Sequence, residues 1–164
     1  ALVFNKDIKT NNPTVRIHSS CLTGDLMGSQ KCDCGYQLET ALNYMSKGKK
    51  MNILIYLNQE GRGLGIHNKI ISYNIQEKGW DTYQADNILG FSGDERDYKA
   101  AAEILKFFKV KKLNLITNNP EKVEYLRKNK ITVNKMIKIK PGVNPHNKKY
   151  LETKKIIGKH LLNL

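Results

Sequence analysis

The sequence predicts a single α/β domain in which a mixed sheet is flanked by helices. Short apolar or alternating segments, typical of strands, take turns along the chain with segments whose apolar residues recur at helical spacing. The 164 residues suffice for one domain with its own core. No apolar stretch approaches the ~18 to 20 residues that a membrane span requires.

The first half of the chain is expected to form two strands and two helices. Residues 14–18 alternate between apolar and polar, and the apolar run at 51–57 predicts a buried strand. Between them, apolar residues recur at helical spacing from Leu38 to Met45, and Gly48 predicts the end of that helix. After a glycine-rich segment, helical spacing at 66–75 predicts a second helix that ends at Gly79.

The second half repeats this alternation. Helical spacing from Tyr98 to Leu105 predicts a helix, and residues 112–117 predict a strand. Pro120 is expected at the first position of the next helix, where its missing N–H has no cost. A short strand at 131–133 and a basic helix over residues 154–162 are expected to complete the domain.

The charge distribution bears on the class of ligand. The net charge is +13, and all of this excess lies beyond residue 103, where sixteen Lys and Arg accompany three Glu. Such an excess suits a nucleic acid or a polyphosphate. Because no aromatic residues are interleaved with the lysines and no nucleic-acid motif accompanies them, we interpret the excess as a solvated surface and disfavour nucleic-acid binding. No secretion signal is recognisable, so a cytoplasmic protein without membrane association is expected.

The three cysteines, Cys21, Cys32 and Cys34, form the sharpest motif. An odd number within one short segment is more typical of metal ligands than of disulfides. Three thiolates can provide three corners of a tetrahedral zinc site and leave the fourth for an acidified water, as in catalytic sites. Two alternatives stay open: a closed site with His18 as the fourth ligand, and a cluster without metal.

Three further segments could bind anions. The glycine-rich segment 59–65 lacks the Lys-Ser/Thr of a P-loop, but backbone N–H groups at a helix start favour anions, and Arg62 is a bidentate phosphate donor. The charged segment 94–97 precedes a helix, and residues 117–122 follow a strand end, where α/β proteins often bind ligands. Each also has a plain structural interpretation as a tight connection, a solvated helix cap or an Asn-Pro turn.

Together these segments resemble GTP cyclohydrolase II. The matching stretches run in family order: Arg16-Ile-His-Ser, Cys21-Leu-Thr-Gly-Asp, Cys32-Asp-Cys-Gly-Tyr-Gln-Leu-Glu, Gln59-Glu-Gly-Arg-Gly-Leu-Gly, Asn68-Lys, Asp81-Thr, Leu89-Gly-Phe, Asp94-Glu-Arg-Asp-Tyr, Leu115-Ile-Thr-Asn-Asn-Pro and His160-Leu-Leu. The resemblance implies one GTP cyclohydrolase II domain over residues 1–164. Family members have a few dozen more residues upstream, so a missing first strand and a missing upstream synthase domain are both open.

The resemblance also implies residue roles. Asp94 matches the proton acceptor, Arg96 the nucleophile toward the α-phosphate, and Tyr73 a tyrosine of the ring chemistry. On chemical grounds a phosphate clamp suits Arg96 better, because a guanidinium stays protonated. One zinc ion is implied at Cys21, Cys32 and Cys34, and GTP contacts are implied at Arg16, Ile17, His18, Ser19, Ser20, Gln37, Glu60, Gly61, Arg62, Thr82, Thr117 and Lys122. Magnesium on the triphosphate and a homodimer are implied as well.

The implied reaction opens the guanine ring of GTP at C8, with release of formate and pyrophosphate. Its product is 2,5-diamino-6-hydroxy-4-(5-phosphoribosylamino)pyrimidine, the first intermediate of riboflavin synthesis. Family members usually have Glu where this chain has Ser20, which puts the neighbouring contacts in question. The rival hypotheses are a non-catalytic zinc-containing module that binds a nucleotide or nucleic acid, and a degenerate paralogue that binds a nucleotide without turning it over.

Overall fold

Five strands form one mixed sheet in this computed structural model, which describes residues 1–8, 10–92 and 94–164. The strands are β1 (Leu2–Phe4), β2 (Thr14–Ser19), β3 (Asn52–Leu57), β4 (Lys112–Ile116) and β5 (Thr132–Ile137). They lie in the order β1-β3-β2-β4-β5, with β1 antiparallel to β3 and the other neighbours parallel. The predicted α/β domain with a mixed sheet is therefore confirmed.

Seven α-helices connect and cover the strands within the described ranges. They are α1 (Leu22–Asp25), α2 (Cys34–Ser46), α3 (Gly65–Glu77), α4 (Thr82–Ile88), α5 (Lys99–Phe107), α6 (Pro120–Lys128) and α7 (Lys148–Ile156). A 3₁₀ turn at Glu60–Gly63 precedes α3. None of the helices in the described part of the chain is long and apolar enough to cross a membrane.

The sheet is buried on both faces, as its apolar strands require. In β3, Ile53 and Ile55 are fully buried in a core cluster that also contains Leu105 of α5. The intervening Leu54 belongs to a second cluster with Met45 of α2. Because successive strand residues point to opposite faces, the two clusters lie on opposite sides of the sheet, and helices flank it as predicted.

In strand β2, apolar residues alternate with polar ones. Val15 and Ile17 join the core that contains α5. Arg16 and His18 are also buried, but they face the side of α2, where Arg16 donates a hydrogen bond to Gln37. Buried polar residues require partners, so this face of β2 is a position for a site rather than for apolar packing.

The chain topology places a crevice between β2 and β4. From β2 the chain passes through α2 to β3 on one side, whereas from β4 it passes through α6 to β5 on the other. Neighbouring parallel strands whose connections leave in opposite directions open a crevice at their carboxyl ends, where α/β folds bind ligands. Ser20 and Thr117 directly follow these two strand ends.

The predicted closing helix over residues 154–162 is wrong. Helix α7 begins earlier and ends at Ile156, and the remaining residues are not helical. The chain is no longer helical at Gly158. The tail after it packs on the loop that follows β4: the Leu161 N–H donates to the Asn118 carbonyl (2.9 Å), and Leu162 is buried. The apolar spacing of the tail thus serves tertiary docking and not a helical face.

Three short elements were not predicted from the sequence. Strand β1 has three residues and pairs only with the edge of β3, and α1 is a single turn inside the cysteine segment. Helix α4 had a readable signal, since Asp81 caps it and Gln84 completes a capping box.

Candidate active site

A single open cavity occupies the crevice at the carboxyl ends of β2 and β4. The empty space in it, including space open to solvent, is about 1140 Å³. Of the residues expected to contact GTP, all but Ile17 line it: Arg16, His18, Ser19, Ser20, Gln37, Glu60, Gly61, Arg62, Thr82, Thr117 and Lys122. The three cysteines, Tyr73 and Arg96 line it as well. The structure thus brings together residues that are up to 106 positions apart in the sequence.

Two predicted site residues do not line the cavity. The side chain of Ile17 is fully buried in the core, and only its carbonyl oxygen serves the site, by accepting a hydrogen bond from Lys122 Nζ (2.9 Å). Asp94 lies behind Arg96 and accepts hydrogen bonds from Arg96 Nε (2.7 Å) and Nη2. Asp94 is therefore placed to orient Arg96.

The cysteines form a compact triangle of sulfur atoms. All three Sγ atoms lie within 4.8 Å of one another, and those of Cys21 and Cys32 are 3.6 Å apart. Two thiolates bound to one tetrahedral zinc at ~2.3 Å each would be about 3.8 Å apart. Without a metal, hydrogen bonds with Cys32 and Cys34 lower the pKa of the Cys21 thiol, whereas the bonds with Cys21 raise the pKa of the Cys32 and Cys34 thiols. The cluster fits a zinc ion with three protein ligands.

Gly24 leaves the space in which this triangle sits. A Cβ at Gly24 would lie 2.8 Å from the Cys32 sulfur and 3.0 Å from the Cys21 sulfur. A Cβ contact below 3.0 Å essentially never occurs, so any side chain here would displace the Cys32 sulfur and press on the Cys21 sulfur. The glycine of the Cys-Leu-Thr-Gly-Asp motif therefore leaves the space that the three sulfur atoms need.

His18 is not part of the metal group. Arg16 Nη2 donates to His18 Nδ1 (3.3 Å), so Nε2 carries the proton and donates to the Asp25 carboxylate, with both oxygens at 3.1 Å. Burial lowers the pKa of His18, which favours this neutral form. Asp25 also accepts from the Cys21 N–H (3.0 Å), so His18 anchors the cysteine loop to β2. Among the described residues, the group able to hold a metal contains the cysteines without His18, which disfavours the closed site.

Lys69 links the cysteine cluster to the glycine-rich turn. Its Nζ donates to Cys21 Sγ (3.1 Å) and to Glu60 Oε1 (2.7 Å). Burial acts to lower the pKa of Lys69, but the bond to Glu60 and the charge of Cys21 outweigh it and raise that pKa above its ordinary value. Lys69 was not predicted as a site residue, although the Asn-Lys pair was among the stretches that carry the resemblance.

Positive charge dominates the cavity. Seven Lys and Arg side chains line it, against the acidic side chains of Glu60 and Asp86. Within the described part of the chain, Arg16 and Lys122 form no ion pair. Burial lowers the pKa of Lys122, and the charge of Arg16 lowers it further. Uncompensated buried cations of this kind suit a polyanionic ligand such as a triphosphate.

Arg96 is held as a cation. Burial acts to lower its pKa, but the hydrogen bonds to Asp94 outweigh it and raise the pKa above its ordinary value. For Asp94, burial acts to raise the pKa, whereas the bonds from Arg96 lower it overall. The pair therefore stays ionised near neutral pH and presents a fixed guanidinium to the cavity.

Tyr73 lies beside the cysteine loop. Its hydroxyl oxygen is 3.4 Å from Thr23 Oγ1, which is in turn 3.8 Å from Cys21 Sγ. Burial raises the pKa of Tyr73, so the hydroxyl keeps its proton and can donate it in a hydrogen bond. Ser20 lines the cavity as well, and its buried Oγ has no partner among the described residues.

The carboxyl-terminal part of the chain supplies site residues that sequence reasoning missed. Tyr150, Lys154 and His160 line the cavity, and Lys154 Nζ lies 3.5 Å from Asp33 Oδ1 in the cysteine segment. Burial, together with the charge of Lys154 first among several cations, lowers the pKa of His160 to about 2. The basic residues and the closing His-Leu-Leu were visible in the sequence, but nothing local indicated that they fold back over the site.

Asp86 of α4 was missed as well, and the sequence offered no signal for it. It pairs with Arg62 Nη1 at 3.2 Å and is almost completely buried. Burial raises the pKa of its carboxyl to about 6, although Arg62 acts in the opposite direction. Asp86 thus fixes the arginine of the glycine-rich turn toward the cavity.

Comparison with known proteins agrees with this geometry. The sequence profile of the family described as GTP cyclohydrolase II matches residues 1–138. Proteins named GTP cyclohydrolase-2 are similar over most of the chain: 50% identity to that of Helicobacter pylori strain P12 (93% of this chain, 78% of the relative) and 49% to that of Helicobacter acinonychis strain Sheeba (98% and 81%). The Psychromonas ingrahamii protein of the same name is 49% identical (94% and 76%). The chain therefore belongs to the GTP cyclohydrolase II family of enzymes.

Proposed function

We propose that this protein hydrolyses GTP at C8 of the guanine ring and releases formate and pyrophosphate. The product would be 2,5-diamino-6-hydroxy-4-(5-phosphoribosylamino)pyrimidine, which enters riboflavin synthesis. The observation that carries the proposal is the meeting, in one cavity, of a cluster of three cysteines and buried cations that form no ion pair within residues 1–8, 10–92 and 94–164. A ligand with a hydrolysable ring and a polyphosphate tail satisfies both.

Cys21, Cys32 and Cys34 would hold one zinc ion. Bound zinc would supply Lewis acidity that lowers the pKa of a water at its open position. Gly24 keeps room for the three sulfurs, and Asp25, itself held by His18, fixes the Cys21 backbone. This chain thus contributes a preformed set of ligands on a loop that is anchored to the sheet.

Tyr73 would act on the guanine base. Because its raised pKa keeps the hydroxyl protonated, it can donate a hydrogen bond or a proton to a ring atom as the ring opens. Its position next to Thr23 and the cysteine loop supports a role at the same end of the substrate as the metal. The buried Ser20 Oγ, for which the described part of the chain provides no hydrogen-bond partner, is available to the ligand on this side of the cavity.

The cations would bind the triphosphate, with magnesium as its counter-ion. Lys122 has no acidic partner in the described structure, and Arg62 is aimed by Asp86. For Arg96 we propose a clamp on the reacting phosphate and not a nucleophilic role, since Asp94 holds it protonated and a guanidinium is a poor nucleophile. Asp94 is then a positioning residue for Arg96.

A turnover assay tests the proposal. The protein is incubated with GTP, Mg²⁺ and Zn²⁺, and formate and pyrophosphate are measured separately. Cys34→Ser should remove most of the zinc and abolish ring opening, whereas wild type treated with a chelator should recover when zinc is returned. Full zinc content with normal turnover in Cys34→Ser would contradict the proposed metal site. Family resemblance also supports a homodimer, which sedimentation analysis can measure.

A further inference from the structure

The contact between Lys69 and Cys21 binds neither the guanine base nor the triphosphate in the proposed function. Lys69 Nζ donates to Cys21 Sγ at 3.1 Å, and its side chain is only 11% exposed. A lysine ammonium is strongly hydrated and is rarely placed in a poorly exposed position without a specific partner. A hydrogen bond to a metal-ligating sulfur is therefore a specific feature of this site.

The charge of the proposed metal centre explains why an ammonium next to Cys21 would be favourable. Three thiolates around a divalent zinc ion carry a net charge of about −1, and such a centre acidifies a bound water less than a more positive centre would. An ammonium that donates to one thiolate withdraws electron density from the sulfur and offsets the excess negative charge. The buried environment makes this interaction stronger than it would be in water.

Glu60 fixes the lysine in place. Glu60 Oε1 accepts from Lys69 Nζ (2.7 Å) and from the Gly61 N–H (2.9 Å), and Oε2 accepts from the Leu22 N–H (2.5 Å). The two backbone donors hold the Glu60 carboxylate in place, and the carboxylate in turn holds the ammonium, which donates one further hydrogen bond to the Cys21 sulfur. Gly61 leaves the room that this requires, because a Cβ there would lie 3.1 Å from the Lys69 Cβ.

We propose that Lys69, held by Glu60, is a positioning residue that tunes the cysteine metal centre through Cys21. This inference rests on the zinc site of the proposed function. It assigns Lys69 to the thiolates and not to the triphosphate, because two of its three donors already serve Cys21 and Glu60. Outer hydrogen-bonding partners of this kind typically change metal affinity or activity by about 10- to 100-fold when they are removed.

The test compares Lys69→Met with wild type in two measurements that do not depend on turnover. The first is zinc affinity by competition with a chromophoric chelator at fixed pH. The second is the sulfur-to-metal charge-transfer absorption of the Co²⁺-loaded protein. Lys69→Gln is a second charge-removing variant if the Met variant does not fold, and Lys69→Arg restores a cationic donor. Lys106→Met is the matched control, because Lys106 also pairs with a glutamate (2.8 Å to Glu103) but on the exposed surface of α5.

Loss of the positive charge should weaken zinc binding by about 10- to 100-fold. It should also move the charge-transfer band to longer wavelength, because sulfur electrons without the hydrogen bond are easier to transfer to the metal. Arg should recover part of both effects, and Lys106→Met should behave as wild type. Wild-type zinc affinity and an unmoved band in folded Lys69→Met or Lys69→Gln would overturn the role of Lys69 alone. Failure of wild type to bind either metal would instead overturn the zinc site on which the inference rests.

Discussion

Gly24→Ala offers the most sensitive probe of the cysteine cluster, because the substitution adds a single methyl group. The new Cβ would lie 2.8 Å from Cys32 Sγ, whereas ordinary contacts begin at 3.4 Å, so that sulfur must move by at least about 0.6 Å. Metal ligands keep their distances to within about 0.2 Å. If the sulfurs hold zinc as proposed, the Cys32 sulfur can avoid the methyl group only by leaving its position as a ligand.

The expected effect is on zinc binding. Overpacking of this size costs about 1 to 3 kcal/mol, which corresponds to roughly 5- to 150-fold weaker zinc affinity if the strain falls on the cluster. Without the sulfurs the same change would favour α1, since Ala stabilises a helix relative to Gly by about 1 kcal/mol. Weaker zinc binding with a normal fold would thus identify the cluster as the cause.

The assay is a competition titration with a zinc chelator, accompanied by circular dichroism to verify folding. Gly28→Ala is the matched control: it lies in the same loop, and its Cβ would meet no atom within 4 Å. Gly28 has φ +67°, so Ala there costs about 1 to 2 kcal/mol of backbone strain but does not displace a sulfur. Equal zinc affinity in Gly24→Ala and wild type, or an equal loss in both variants, would refute the reasoning.

Four further predictions concern the rest of the cavity. Tyr73→Phe should lower formate release by about 10²- to 10⁴-fold and spare GTP binding, and an unchanged rate in a single-turnover assay would exclude an acid role. Arg96→Ala should lower pyrophosphate release by about 10²- to 10³-fold, with partial recovery in Arg96→Lys; no recovery would weigh against a clamp. Ser20→Glu should leave turnover equal or higher, and a strong loss would show that the loop has been rebuilt around the serine. Burial raises the pKa of Asp86 from 3.8 to about 6, so the folded state favours its protonated form; the stability it contributes is full below about pH 4 and is lost as the pH rises through about 6. Urea unfolding from pH 4 to 7 should show a smaller decline in Asp86→Asn than in wild type, and parallel declines would contradict the shift.

Local sequence patterns predicted the parts of the fold and the site that depend on residues close together in the chain. The alternation in β2 predicted a strand, and the same alternation places Arg16 and His18 on the site face. The spacing of the cysteines predicted a cluster, and the structure brings their sulfurs together. Pro120 opens α6 as its position in the sequence indicated.

Local sequence patterns did not predict features that depend on contacts between segments far apart in the chain. The tail around Leu161 has apolar spacing that suggests a helix, but its position depends on a backbone bond to Asn118, more than 40 residues away. In the sequence, Lys69 is one lysine of a predicted amphipathic helix, and only the folded structure shows that its Nζ contacts Cys21. Asp94 was expected to act as a proton acceptor, a prediction that remains untested, and the structure shows its carboxylate directed at Arg96.

The fate of C8 tests the central claim most directly. GTP labelled with carbon-13 at C8 is incubated with the zinc-loaded protein and Mg²⁺, and the reaction is followed by carbon-13 NMR with parallel measurement of pyrophosphate. The label should leave the nucleotide as formate, and Cys34→Ser should leave it in the intact ring. Label retained in an unopened purine, with GTP unchanged or only its phosphates removed, would contradict the account.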